Sequence, residues 1–217
     1  MYLAFNPKGI ILDIDGRQEV YSLINKAIGD YQLQNEILLE LSEGSYFRDD
    51  KQDLSKLQSR KVMSNIDTRW DQVEEIVLIA KDNVQNKELC NFLSEWFKDN
   101  TKITLSYNLK DNYELNKLDK DNYYDIALIQ CEISPNNKKI LFDQLVDFIP
   151  NNYKEKIEAL KNEEEKTNMF IELEDNLFST YTVLPLVFYN KNIAIRETIK
   201  NVALDGNENI NFIKLEK

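Results

Sequence analysis

Histidine is missing from all 217 residues, and that absence removes the commonest transition-metal ligand, the usual general base near neutral pH and any triad built on imidazole. Cysteine is almost as scarce. Cys90 and Cys131 lie far apart in sequence and form neither a CxxC redox motif nor a zinc knuckle, so they are expected to be two reduced, buried thiols. Five glycines and four prolines leave no Gly/Ser-rich or Pro-rich linker, and no internal repeat is visible. No run approaches the roughly 18 apolar residues needed to span a bilayer. The opening Met1 to Asn6 has neither the basic n-region nor the cleavage site of an export signal. Positive charge is also short: 27 Lys and Arg face 38 Asp and Glu, for a net charge of -11. A surface of that sign repels phosphate backbones, so direct contact with nucleic acid is not expected.

What is present is the composition of a folded chain. Hydrophobic residues make up 42% and charged residues 30%, well away from the disordered range. The length suits one domain over residues 1–217. Val20, Leu23, Ile24, Ala27 and Ile28 recur at helical spacing within Glu19 to Ile28 and form the apolar stripe of an amphipathic helix. Gly44 to Asp53 is polar and reads as a loop.

Glu75 to Ala80 reads as a strand. Lys87 to Lys98 reads as a helix with Leu89, Phe92, Leu93, Trp96 and Phe97 on one face, and Lys102 to Tyr107 as a second strand in which Ile103, Leu105 and Tyr107 alternate with polar residues. Strand, helix, strand at this spacing predicts a right-handed crossover unit. A short polar helix is expected around Asn112 to Lys120. Tyr124 to Gln130 is mostly apolar and has the length of a strand covered on both faces, which places it at the centre of the sheet. From Lys154 to Thr180 the period is helical again, with Ile157, Leu160, Phe170, Leu173 and Leu177 inward and Glu163 to Glu165 on the wet side. Val183 to Tyr189 reads as a strand, and Pro185 within it marks an edge or a chain crossing. Together these elements predict an α/β fold with a mixed, mostly parallel sheet flanked by helices.

Two resemblances bear on function. Gly9-Ile-Ile-Leu-Asp-Ile-Asp-Gly16, read as an apolar strand ending in Asp-x-Asp-Gly, resembles the nucleophile motif of haloacid-dehalogenase-type phosphatases, in which one carboxylate attacks phosphorus beside magnesium. Here Arg17 stands where that family has a small residue, and Asp205-Gly-Asn-Glu208 only loosely echoes its acidic magnesium loop. A haloacid-dehalogenase-like phosphatase is therefore only the second alternative, the expectation is a protein that is not an enzyme, and no catalytic residue or cofactor is assigned. The second resemblance is wider. Tyr2-Leu-Ala-Phe-Asn6, then Asp13 or Asp15, then Arg17-Gln18 and the helix through Ile28 resemble the start of the second lobe in family-5 extracytoplasmic solute-binding proteins, with Glu19 in place of the usual alanine. Tyr124-Asp125-Ile126-Ala127-Leu128 is similar to that family's aromatic-Asp-aliphatic strand, and Leu184-Pro185-Leu186-Val187-Phe188-Tyr189 to its returning Pro-Leu strand.

The order and spacing of these blocks resemble one lobe of a type II periplasmic binding protein, with the partner lobe absent from this chain. Such a lobe grips a peptide or small-molecule ligand against the first lobe and delivers it to an ABC permease, which implies an extracytoplasmic location. The closing stretch Pro185-Leu-Val-Phe-Tyr-Asn190, then Asn201-Val-Ala-Leu-Asp205 and Phe212, is also similar to the end of the same fold where it follows a winged DNA-binding domain in cytoplasmic regulators of sugar-phosphate stress, which implies as the alternative an effector-sensing domain in the cytoplasm.

Because ligands of open α/β sheets sit at the carboxyl ends of strands, the resemblance implies Gln130, Cys131, Glu132 and Ser134 as ligand-facing, with Asn6 and Tyr189 as hinge or cleft residues. Peptide-binding relatives place a tryptophan and, three residues on, an aspartate just past the central strand. By counting, Cys131 and Ser134 hold those positions, and Glu132 replaces the acid only if the register differs.

Overall fold

The computed structural model describes residues 1–11, 13–35, 40–41, 74–111, 123–131 and 138–188. The chain opens with β1 (Tyr2–Phe5), α1 (Ile14–Asn35) and the short β2 (Glu40–Leu41). Then come β3 (Glu75–Lys81), α2 (Val84–Asn100), β4 (Thr104–Lys110) and β5 (Ile126–Ile129). Helices α3 (Lys138–Leu145), α4 (Asn151–Ala159) and α5 (Glu163–Ser179) follow, with a 3-10 turn over Val146–Phe148 between the first two. Strands β6 (Val183–Pro185) and β7 (Val187–Phe188) close the described chain. The expected loop at Gly44 to Asp53 and helix at Asn112 to Lys120 lie outside the described residues.

Five strands form one mixed sheet in the order β4-β3-β5-β1-β6, and β2 pairs with β7 in a second, two-stranded sheet. Strand β3 runs parallel to both β4 and β5, while β1 runs antiparallel to β5 and β6. The apolar run at Tyr124 to Gln130 therefore does occupy the middle of the sheet. Pro185 meets both expectations, because it ends β6, an edge strand among the described residues, just before the chain crosses at Leu186 into β7 and the other sheet.

Alternation along the strands sorts the core into two layers, as a pleat of period two requires. Leu3, Phe5, Ile76, Leu78, Ala80, Ile126, Leu128 and Leu184 face a cluster completed by α1 and α2. Tyr2, Ala4, Ile79, Ala127 and Val183 face the opposite way, into a cluster completed by α3, α4 and α5. The stripe Val20, Leu23, Ile24, Ala27 and Ile28 of α1 is buried throughout. In α2 the inward positions are Leu89, Cys90, Leu93, Trp96 and Phe97, while Phe92 is only half-buried at the margin of the cluster. A hydrogen bond of 2.7 Å from Trp96 Nε1 to Asp30 Oδ2 ties α1 to α2.

Two expectations need correction. The helical pattern from Lys154 to Thr180 is two helices, not one: α4 stops at Ala159, and Leu160 is extended with ψ 133. Asn162 then caps α5, its side chain accepting from Glu164 N at 2.9 Å. The acidic triplet Glu163 to Glu165 fills the first turn of that helix, where negative charge favours the exposed N–H groups and the positive end of the dipole. The triplet is a start signal as well as a wet face.

The phosphatase-like motif also loses its strand, because β1 ends at Phe5 and the chain turns at Gly9, whose N–H donates to Asn6 O at 3.0 Å. Asp13 Oδ1 accepts from Gly16 N at 2.5 Å as a helix cap, and Asp15 lies inside the first turn of α1. Arg17 then braces this entry. Its Nε donates to Ile11 O at 3.2 Å and one terminal nitrogen to Thr180 O at 3.1 Å, which joins the start of α1 to the turn before β6.

Candidate crevice at the strand ends

Register fixes what gathers at each end of the sheet. Tyr2 pairs with Ile129 and Phe5 with Ile126, so the start of β1 lies beside the exit of β5. Ala80 pairs with Leu128 and Lys81 with Lys110, which brings Asp82 and Asn83 to the same end. After β3 the chain leaves through α2 toward β4, on one side of the sheet. After β5 it leaves through α3, α4 and α5 toward β6, on the other. Neighbouring strands whose continuations diverge leave a crevice beyond their carboxyl ends, and open α/β sheets take their ligands there.

A side-chain bond spans this opening: Asn83 Nδ2 donates to Gln130 Oε1 at 3.1 Å. Asn83 also caps α2, its Oδ1 accepting from Asn86 N at 2.8 Å. Asn86 Nδ2 in turn donates to Lys81 O at 2.9 Å and locks the strand end to the helix start. Val84, the first residue of α2, is 72% exposed at the mouth. At this same end Leu186 N donates to Met1 O at 3.0 Å and Met1 N to Val187 O at 2.8 Å. The segment that enters β1 and the one that leaves β6 therefore run side by side past the crevice.

Of the residues expected at a ligand site, Gln130 and Cys131 stand here, Gln130 exposed and Cys131 half-buried against the α3, α4 and α5 cluster. Glu132, Ser134 and Tyr189 lie outside the described residues. Asn6 is not brought to the crevice. It sits at the far end of β1, where its Nδ2 donates to Tyr124 O at 2.6 Å, its N–H to Asp125 O at 2.9 Å, and its Oδ1 accepts from Lys8 N at 3.0 Å. Those bonds make it a turn residue. The helical period begins only at Lys87 and leaves residues 82–86 unassigned, so it does not point to Asn83. An asparagine between an apolar strand and a helical stripe is a readable cap signal.

Burial pushes the thiols of Cys90 and Cys131 up to about 12, and both are free. The thiolate is the reactive form, so at pH 8 both thiols in the folded chain should react with an aromatic disulfide reagent at least about 100-fold more slowly than in urea. Equal rates in the two states would show that neither thiol is sheltered. Among the described residues no group of three or more His, Cys, Asp or Glu side chains is placed to hold a metal ion, and no helix is long and apolar enough to cross a membrane.

This architecture is that of one lobe of a type II periplasmic binding protein. NikA from Brucella suis, solved in complex with Fe(III)-EDTA, matches over 99% of this chain and 50% of its own, with a TM-score of 0.64 and 13% identity. The oligopeptide-binding protein AppA from Bacillus subtilis, in complex with a nonapeptide, matches 99% of this chain and 49% of its own at a TM-score of 0.53 and 11% identity. A dipeptide-binding protein from Pseudoalteromonas sp. SM9913, in complex with Met-Leu, matches 100% of this chain and 48% of its own at a TM-score of 0.53 and 9% identity. At these identities the likeness is one of fold, and the chain spans about half the length of each of these proteins. Neither a protein-family model nor a curated protein matches the sequence.

Proposed function

We propose that this chain is the second ligand-binding lobe of an extracytoplasmic, ABC-transporter-type solute-binding protein, which takes peptides or other small solutes and performs no chemistry on them. The observation that carries the reading is the coincidence of two features at one end of the sheet. The chain diverges there beyond β3 and β5, as it does where open α/β sheets take their ligands, and the segments that enter β1 and leave β6 run side by side at that end. Closure of such a clamp is driven by contacts that exist only when both walls touch the ligand. Gln130 and Asn83 supply this wall with carboxamides, each able to donate and accept, and these suit solutes carrying amide or hydroxyl groups. Cys131 adds a neutral thiol. An isolated lobe would retain about half the contact area and bind several kcal/mol more weakly.

A thermal-shift screen of the parent protein, both lobes present, tests this with dipeptides, longer peptides and sugar phosphates. The sugar phosphates are included because the same lobe in a regulator would use the same crevice for an effector. A ligand at 100 times its Kd should stabilise the protein by about 2.7 kcal/mol. Gln130→Ala should weaken that ligand roughly 5-fold, the value of one hydrogen bond of about 1 kcal/mol. A screen in which no solute shifts the transition removes the reading. A shift insensitive to Gln130→Ala moves the site elsewhere.

A further inference from the structure

The end of the sheet opposite β6 carries a second message. Strand β4 has β3 as its one sheet neighbour among the described residues, and all seven of its positions, Thr104 to Lys110, pair with Glu75 to Lys81 without a bulge. Thr104 N donates to Glu74 O, and Lys110 O accepts from Asp82 N. In an alternating strand, Thr104, Ser106, Asn108 and Lys110 therefore turn their peptide groups toward β3, and Leu105, Tyr107 and Leu109 turn theirs outward. Natural edges are blunted by proline, charge or a bulge. Here no such device falls between Thr104 and Leu109, and in a chain of net charge -11 the strand carries no carboxylate.

We propose that β4 pairs antiparallel with β4 of a second copy of this chain, about a two-fold axis at Tyr107. In that register Tyr107 faces Tyr107 of the second copy and Leu105 faces its Leu109, so the outward N–H and C=O groups meet as doubly bonded pairs. Lys110 then faces Thr104 of the second copy, and the two lysines stay apart. Leu105, Tyr107 and Leu109 lie on the face that packs, with Phe92, against the α1/α2 cluster. The pairing therefore extends one apolar layer across the axis. A slip of one residue would set that face against Thr104, Ser106 and Asn108. The two crevices point in opposite directions, so each remains open to its own first lobe. The inference stands independently of what the crevice binds.

Cysteine cross-linking and light scattering test it on the full chain. The Cα atoms of Tyr107 in the two copies would lie about 5.5 Å apart, inside disulfide reach. Mild oxidation of Tyr107→Cys should give a covalent dimer, and Thr104→Cys, which faces lysine rather than itself, should give none. Size-exclusion chromatography with light scattering should show a concentration-dependent dimer. Leu109→Pro should make it monomeric with an unchanged circular dichroism spectrum, because it removes an outward N–H and leaves the β3 ladder intact. A monomer at every concentration, equal cross-linking of Tyr107→Cys and Thr104→Cys, or a dimer that survives in folded Leu109→Pro would each overturn the proposal.

Discussion

Replacing Asp125 by alanine should lower the unfolding free energy by about 3 kcal/mol or more, the summed value of two hydrogen bonds to a charged acceptor. The side chain is 1% exposed. Its Oδ1 accepts from Ile10 N and its Oδ2 from Val77 N, each at 2.9 Å. The backbone of the same residue donates to Val77 O and accepts from Asn6 N, again at 2.9 Å. One residue thus fastens the β1–α1 turn, the start of β3 and the entry to β5. Alanine leaves the part-buried N–H groups of Ile10 and Val77 without this acceptor. Asparagine preserves the shape but turns one acceptor into a donor facing an N–H, so Asp125→Asn should cost nearly as much. Glycine at position 9 belongs to the same arrangement, since a Cβ there would stand 3.0 Å from Asp125 Cα and from its Oδ1. Urea unfolding checks the prediction through a lower midpoint at unchanged slope. A loss under about 1 kcal/mol for both variants would show that the carboxylate is dispensable.

Asp125 also marks where sequence reasoning reaches its limit. The block Tyr124 to Gln130 shows its central, doubly covered strand through composition alone, because a strand buried on both faces has few polar positions to offer. The acceptor role of Asp125 is invisible, since its partners Ile10 and Val77 are brought to it only by the antiparallel pairing of β1 with β5 and the parallel register with β3. Asn6 shows the converse. The motif that contains it was legible, but the sequence does not say which end of a strand faces the crevice. The antiparallel register Phe5 to Ile126 sends Asn6 away from Gln130 by the length of β5.

The candidate crevice is legible only in part for a related reason. Gln130 and Cys131 follow a strand long and apolar enough to be seen, so the rule that ligands sit at carboxyl ends reaches them directly. Asn83 is fixed by the same geometry. The strand it follows is legible, but residues 82–86 contain no apolar period, and periodicity is the strongest signal a sequence offers. Capping residues reveal themselves by chemistry. Asn83 at α2 and Asn162 at α5 both close a helix start through an Oδ1 acceptor. An asparagine ahead of a helical period is thus the sequence signal for both helix starts, and Asn162 is the one that splits the segment from Lys154 to Thr180.

Phe97→Ala should destabilise the fold by about 3–5 kcal/mol, the usual cost of removing a buried phenylalanine and leaving a cavity. The ring is fully buried in the cluster under α1 and α2 and meets Trp96 edge-on, with centroids 5.6 Å apart. Its carbonyl closes the helix by accepting from Thr101 N at 2.9 Å and from Thr101 Oγ1 at 2.8 Å. Phe97→Leu should cost less than Phe97→Ala because the residual cavity is smaller. Val84→Ala at the exposed other end of the same helix should lie within about 0.5 kcal/mol of the parent. Thermal or urea unfolding ranks the three, and a Phe97→Ala loss no larger than that of Val84→Ala would mean that α2 is not held by this cluster. The consequence for the crevice is a separation of stability from binding. Phe97 anchors the far end of α2, while Asn83 is fixed at the near end by its own cap and by Asn86. Well below the transition, Phe97→Leu should therefore leave ligand affinity within about 2-fold of the parent, while Gln130→Ala loses affinity at little cost in stability.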